Sequence, residues 1–288
     1  SDWSSDVCSS DLYKKMNNLN QIISHFNIKG TVSDVKPLGN GLINDTYKVN
    51  TVEPDAPDYV LQRINDSIFT DVDLLQHNIY EVTTHIREQL EKEGADDIDR
   101  RVLTFVKADN DKTYIKTEDG TFWRMSIFIP DAITVETVNP EYSYHAGKAF
   151  GKFEAQVADI TDRLGETIPN FHNMELRRDQ LRQAVKEDRA GRVAGVKDFI
   201  DELEKYSEEM CLGERLFREG KLKKHVCHCD TKVNNMMFDK EEQTSKLAKT
   251  NFYTAIVLVI YIIVVPFITS SPILHSKAYR NLLGEVKE

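Results

Sequence analysis

The chain has 288 residues, a formal net charge of −10, 40% hydrophobic and 29% charged residues. That is a globular composition, long enough for one large or two small domains, and its acidic balance argues against a nucleic-acid binder while leaving room for the few local cations that one nucleotide needs. The four cysteines, Cys8, Cys211, Cys227 and Cys229, are too few for a disulfide framework in a chain this long, so reduced, cytosolic thiols are expected.

The first elements, in chain order, begin with a segment set aside. Residues 2–12, Asp-Trp-Ser-Ser-Asp-Val-Cys-Ser-Ser-Asp-Leu, resemble the in-frame translation of a sequencing adapter, so residues 1–15 are treated as an artefact and leader. Met16 is the expected natural start, with no secretory signal before it. Leu19, Ile22, Ile23 and Phe26 mark a short amphipathic helix over Asn18–Phe26. From Val35 to Val49, apolar alternation on both sides of Gly39-Asn40-Gly41 reads as a hairpin whose turn permits close backbone approach to phosphates, although any hairpin can carry such a turn. Tyr59–Ile64 is a third strand, in which Leu61 and Arg63 share a face. If that face lines a cleft, Leu61 packs on adenine and Arg63 reaches the phosphates; otherwise Arg63 is an exposed edge residue. A helix over roughly Val72–Leu90 carries the stripe Leu75, Ile79, Val82, Ile86 and Leu90. Its Glu81 either pairs with Arg63 or is a solvated carboxylate.

Three further antiparallel strands are expected at Val102–Val106, Thr113–Lys116 and Phe122–Ile129, with Pro130 closing the last. From Pro140 the pattern turns helical: Tyr144–Val157, Met174–Ala190 and Val196–Arg218. Ala146, Gly147, Ala149 and Gly151 suit close helix packing. A β-rich part followed by a helical part gives an α+β, two-lobed layout with its linker near Phe128–Asp131, where Phe128 and Ile129 fall on the nucleotide side, since clefts between lobes are common ligand sites.

Two late segments stand out. His228-Cys229-Asp230-Thr231-Lys232-Val233-Asn234-Asn235 reads H-x-D-x-x-x-x-N and runs into the apolar Met236-Met237-Phe238. In kinase-type phosphotransferases an Asp so placed accepts the proton of the attacking hydroxyl, and the Asn five residues on holds a metal ion on the ATP phosphates. A polar turn before a strand is the plainer reading of the same eight residues. The crowding of His225, Cys227, His228 and Cys229 invites a zinc reading, but neighbours on a strand point to opposite faces and no second ligand pair follows. Phe252–Ile268 then carries no charge, is flanked by Lys246, Lys249, Lys277 and Arg280, and reaches the lower length limit of a membrane helix; a buried strand pair, rich in Ile and Val and interrupted by Pro266, is the alternative.

The order of a glycine-turn hairpin, a cation on the third strand, one helix, a linker, helices and the H-x-D-x-x-x-x-N loop resembles the aminoglycoside phosphotransferase/choline kinase superfamily, which has the protein-kinase-like fold. Leu38–Tyr47, Tyr59–Asn65, Ile168–Asn173 and His228–Asn235 look like the N-acetylhexosamine 1-kinase group, which transfers the ATP γ-phosphoryl to the anomeric hydroxyl of N-acetylgalactosamine or N-acetylglucosamine. The resemblance implies that Asp230 is the catalytic base and Asn235 a magnesium ligand. It places Arg63 where the phosphate-pairing lysine stands, Gly39 and Gly41 with Asn40 between them in the phosphate loop, and Phe171 and His172 near the sugar. It implies ATP and Mg2+ as cofactors, a small hydroxylated substrate and a cytoplasmic parent enzyme. The domains that follow are a β-rich ATP-binding lobe over 16–130, a partial helical lobe with the catalytic loop over 131–239, and an unrelated apolar tail over 240–288 that includes the candidate membrane helix 252–268. The family also uses a second metal-binding Asp downstream, but no Asp follows Asp239 in this chain. That departure suggests a truncated or chimeric reading frame with an incomplete C-terminal lobe and little activity. The alternatives are a kinase for choline, homoserine or an aminoglycoside, or a non-catalytic nucleotide-binding or membrane-tethered protein.

Overall fold

The structure is a computed structural model that describes residues 17–38, 45–137, 139–231 and 233–240, and the backbone of Ile263–Pro266. It is mixed helix and sheet, the α+β class expected from the sequence. The chain divides into two compact units, one made of Ser1–Ile168 and His228–Ile262, the other of Pro169–Cys227 and Ile263–Glu288.

The first unit opens with a helical segment, α1, at 17–23. A five-stranded antiparallel sheet follows, made of β1 (Val32–Pro37), β2 (Thr46–Thr51), β3 (Tyr59–Ile64), β4 (Tyr114–Lys116) and β5 (Phe122–Ile127), in the order β1-β2-β3-β5-β4. The register sets Tyr47 opposite Leu61 and Leu61 opposite Met125, so one face runs through three central strands. That face supplies Tyr47, Val49, Tyr59, Leu61, Ile115, Trp123 and Met125 to a core cluster that also contains Leu19, Ile22, Ile23 and Phe26 from α1 and the turn after it. At about 25 cal/mol per Å² of apolar surface removed from water, this cluster is the main stabiliser of the sheet.

The helix α2 (Val72–Lys92) starts at Asp71, whose side chain accepts from the Leu74 N–H at 2.8 Å, as an N-cap should. Its buried positions include the whole expected stripe, Leu75, Ile79, Val82, Ile86 and Leu90. The flank of the helix is tied to the segment after α4 (Pro140–Gln156) by polar contacts. Asn78, fully buried, donates to the Gly165 carbonyl at 2.7 Å and accepts from the Gly165 N–H at 3.1 Å. His77 meets the Arg163 carbonyl at 2.9 Å, and His85 meets Asp159 at 2.9 Å.

Several expectations are corrected. Val102–Val106 is not a strand: a short helix α3 (Ile98–Arg101) precedes it, and only Phe105 makes an isolated bridge, to Ser126. The charged run Asp97–Arg101 forms a turn of helix stitched by an Arg101–Asp97 pair at 2.6 Å. Arg63 and Glu81 do not pair; Arg63 is held by Asp45 and Glu81 faces Arg163 at 3.8 Å. On α4, Ala146 is buried, but Gly147 and Gly151 lie on the exposed side, and a Cβ on either would meet nothing within 4 Å. They mark no close packing.

The first unit ends with β6 (Ala132–Ile133) paired to β8 (Phe238–Asp239). Around that pair Ala146 and Phe150 of α4 cluster with Val233, Met236 and Phe238.

In the second unit, α5 (Met174–Glu187) is capped by Asn173, which accepts from the Leu176 N–H at 2.9 Å. The expected helix Val196–Arg218 is two, α6 (Lys197–Met210) and α7 (Leu212–Arg218), broken at Cys211. β7 (Lys224–Cys227) pairs antiparallel with β9 (Ile263–Pro266). The helix expected over Phe252–Ile268 is therefore not formed at Ile263–Pro266, where β-branched residues favour a strand and Pro266 falls at its end. The rest of that run lies outside the described residues, and among the described residues no helix is long and apolar enough to cross a membrane.

Candidate active site

The loop that carries Asp230 is built by its own motif. β7 ends at Cys227, and His228 then turns inward to 1% exposure. Its ring packs on two aromatic side chains of α4, Phe150 at 5.1 Å and Phe153 at 6.0 Å between centroids. Cys229 adopts the left-handed conformation, φ 61°, which a residue with a Cβ adopts only where its surroundings hold it. Asp230 follows. Its backbone N–H donates to His228 Nδ1 at 3.3 Å, and its carbonyl accepts from Asn235 Nδ2 at 2.9 Å. A single 3-10 turn, Val233–Asn235, brings that amide round, and buried Val233 and Met236 anchor it beneath. The two polar residues of the motif thus meet: Asn235 spends its amide N–H on Asp230, and its Oδ1 accepts no hydrogen bond among the described residues. Burial holds the His228 imidazole below its ordinary pKa, against the pull of the neighbouring Asp230 carboxylate, so the ring is neutral with Nδ1 as acceptor.

Arg63 lies at the end of β3, about half exposed, with its Nε 2.9 Å from Asp45 Oδ2 and its backbone N–H donating to the Asp45 carbonyl at 2.9 Å. Asp45 immediately precedes β2, so the cation is tethered at the start of that strand. Gly39, Asn40 and Gly41 lie outside the described residues. Leu61 shares the Arg63 face, as alternation requires, but it is 0% exposed and belongs to the sheet's core cluster. It offers no open surface. Phe128 follows β5, half-buried, with Lys48 Nζ 4.3 Å above its ring and its N–H donating to the Asp58 carbonyl at 2.8 Å. Ile129 is buried. Phe171 and His172 stand edge to face at 4.6 Å in the second unit, ahead of α5, with the Phe171 carbonyl accepting from Arg177 at 2.8 Å.

Among the described residues no three His, Cys, Asp or Glu side chains gather into a metal site, and of the His/Cys crowd His228 is committed to the loop. The donors at the candidate site are hard oxygens, the Asp230 carboxylate and the Asn235 amide oxygen, of the type that suits a magnesium ion carried mainly by phosphates and water. Sequence reasoning missed Asp45 and the role of His228. The first had a signal, a lone carboxylate four residues after Gly41; the second had only its place in the motif.

An antiparallel sheet followed by helices, with Asn235 closing on Asp230, defines an α+β protein. The chain belongs to the phosphotransferase enzyme family, whose model matches residues 34–245. Among solved structures it is similar to an aminoglycoside phosphotransferase from Alicyclobacillus acidocaldarius, at 13% identity and TM-score 0.48, over 77% of this chain and 62% of that one. It is also similar to spectinomycin phosphotransferase APH(9)-Ia in complex with ADP and spectinomycin, at 12% identity and TM-score 0.47, over 83% of this chain and 70% of that one. Amicoumacin kinase hAmiN matches at 13% identity and TM-score 0.42, over 82% of this chain and 63% of that one. The chain spans less than two thirds of the length of the first and the last of these.

Proposed function

We propose that this site transfers the γ-phosphoryl group of ATP to a hydroxyl of a small molecule, with the anomeric hydroxyl of an N-acetylhexosamine as the acceptor. The observation that carries the reading is the Asp230 loop, whose backbone is gripped on both sides by the polar residues of its own motif. In the reaction the acceptor oxygen forms a bond to the γ-phosphorus, the bond from that phosphorus to the β-bridging oxygen breaks, and ADP leaves with the electron pair. Asp230 takes the proton of the acceptor hydroxyl. Arg63 holds negative charge on the phosphates, and the Gly39–Gly41 turn covers them. Asn235 would hold Mg2+, which when bound neutralises charge on the transferring phosphates. In this reading residues 16–130 form the nucleotide lobe, with Phe128 and Ile129 at its edge, residues 131–239 supply the helical part, and Phe171 and His172 lie toward the acceptor. The sugar, rather than choline, homoserine or an aminoglycoside, is favoured by the sequence segments around Arg63, Phe171 and Asp230.

Single-turnover transfer from labelled ATP, with protein in excess and millimolar Mg2+, tests the proposal over N-acetylhexosamines, choline, homoserine and aminoglycosides. Enzyme in excess detects even slow turnover. The expected result is product with an N-acetylhexosamine and a loss of about 10²–10⁴-fold in Asp230→Asn, with ATP affinity retained. An unchanged rate in that variant removes Asp230 from the chemistry; transfer only to another acceptor corrects the substrate.

A further inference from the structure

We infer that the sheet edge at residues 103–105 docks an extended acidic peptide of a partner protein. The peptide hydrogen-bonds to the Phe105 backbone and seats one bulky apolar side chain in the cleft between that edge and α2. No residue of the Asp230 loop takes part, so the surface is independent of the phosphoryl-transfer site.

Unpaired backbone, an apolar cleft and positive charge meet at this edge. The Thr104 carbonyl accepts from the Ile127 N–H and the Val106 N–H donates to the Met125 carbonyl, both at 2.9 Å, around the Phe105–Ser126 bridge. In an antiparallel pair of that kind the N–H and C=O of the middle residue point away from the partner strand. Ser126 has Val60 of β3 on its other side, so the Phe105 groups face outward, on the flank of β5 that β4 occupies further along. Neither group makes a hydrogen bond among the described residues, and the same holds for the N–H and C=O of Leu103. Both residues are half-buried. Two residues on, the Lys107 carbonyl does have a partner, the Asn27 N–H at 2.9 Å. One stretch of chain thus already pairs at the end of this row, and the row stands open at Leu103 and Phe105. Beside it lies a cleft of about 140 Å³, lined by Ile79, Leu103, Phe105 and the exposed Tyr80, with Arg87 and Lys107 as its charged groups. A space of about 150 Å³ admits one benzene ring, so one large apolar side chain fits. The chain carries a net charge of −10, yet both charged groups of this cleft are cations. No carboxylate pairs with Lys107 among the described residues, and Arg87 pairs with Asp99 at 2.9 Å. A lysine beside a free edge discourages apolar and basic strands but attracts one that brings carboxylates. Strand addition supplies the affinity through the backbone, and the cleft and its cations choose the sequence.

The test is an NMR titration of the 15N-labelled full chain with the probe acetyl-Glu-Val-Phe-Val-Asp-amide. Saturable shifts are expected at residues 103–107 and along 79–87 of α2, with amide exchange at Phe105 slowed about ten-fold by the new hydrogen bond. Lys107→Glu, at an exposed position, should weaken binding about five-fold, the worth of an exposed ion pair. N-methylation of the probe at alternate residues separates strand pairing from side-chain capture: binding is lost when the methyls fall in one register and kept in the other. The absence of saturable shifts by about 1 mM probe overturns the docking site, as do shifts seated elsewhere on the chain. Equal binding of the two methylated probes overturns the backbone pairing. Equal binding of a probe with lysines in place of its two acids overturns the charge selection. A Phe105 amide already protected in the free chain means that the chain itself covers the edge, and it overturns the partner.

Discussion

The sheet of the first unit and the helices of the second are held by different forces. In the first, central residues such as Val49, Leu61 and Met125 are 0% exposed, β2 and the first half of β3 alternate about one buried face, and β5 is buried at four consecutive positions. In the second, α5 and α7 bury no side chain and α6 buries only Ser207, while Phe199 is 74% exposed. What joins α5 to its neighbours is charge: Arg178 pairs with Glu208 at 2.8 Å, Arg182 with Glu204, and Arg218 with Glu175. Exposed pairs of this kind contribute little in water and fade with salt, whereas apolar burial is indifferent to ionic strength. One stretch of a single chain is therefore built to be stable and the other to be adjustable.

The sharpest way to break the contrast is truncation. Leu61→Ala should cost about 2–5 kcal/mol, read as a large drop in the denaturant midpoint, while Phe199→Ser should change stability by no more than about 0.5 kcal/mol. An equal effect at the two sites would mean that Phe199 is covered in solution. Next in size is Asn78→Ala, which removes two hydrogen bonds and leaves the half-buried Gly165 backbone without them; a loss of about 1–3 kcal/mol is expected, seen as faster amide exchange along α2.

Acid should separate the units by pH. Burial depresses the pKa of His228, so its contribution is complete above the unfolded value near 6.5 and is lost as pH falls through the lower folded value. In the second unit Arg218 depresses Glu175 and Arg182 depresses Glu204, so their contribution is complete above the unfolded value near 4.5 and is lost only below it. Asp58 and Asp73 add a similar low-pH loss to the first unit. Thermal melts from pH 7 to pH 5 should thus lower the transition of the first unit, where His228 packs on α4, and leave that of the second in place; His228→Asn should flatten the first. Raising the ionic strength to about 1 M, where the Debye length is about 3 Å, should do the reverse, weakening the helical unit by circular dichroism and sparing the sheet.

The smallest expected effect is Arg124→Met. Arg124 is 5% exposed, its Nε donates to Gln62 at 3.1 Å, its guanidinium lies 5.6 Å from the Phe105 ring, and burial lowers its pKa to about 10. No carboxylate pairs with it among the described residues, and Nη1 has no partner. Replacement by an apolar residue of similar volume should be neutral or slightly stabilising; a large loss would reveal an unseen anion.

The same contrast explains what the sequence disclosed. β3 and the stripe of α2 were legible because alternation and a period of 3.6 are local signals that one buried face enforces. The His228–Asn235 loop was legible because its spacing is fixed by one tight turn that closes on itself, Asn235 to Asp230. Val102–Val106 was misread because β-branched and aromatic residues suit a strand, yet its pairing with β5 stops at the single Phe105–Ser126 bridge, with Val106 donating to Met125 and Thr104 accepting from Ile127. The ion pair of Arg63 with Asp45 rather than Glu81 depends on which face β3 turns toward α2, and no periodicity encodes that. The break at Cys211 was passed over although Gly213 stands two residues beyond it, because a lone glycine inside a helical pattern is a weak signal.

The pairing of Ala132–Ile133 with Phe238–Asp239 has a consequence for biosynthesis. The two strands are separated by about a hundred residues, so at about 5–20 residues per second a ribosome exposes the first some 5–20 s before it delivers the second. Throughout that interval Ala146 and Phe150 wait without Val233, Met236 and Phe238, which complete their cluster. A nascent chain of this protein therefore carries an open strand edge beside an apolar patch for most of the time that its second half is being made. Holdase chaperones should engage it there, and translation slowed anywhere between the two strands should raise the aggregated fraction.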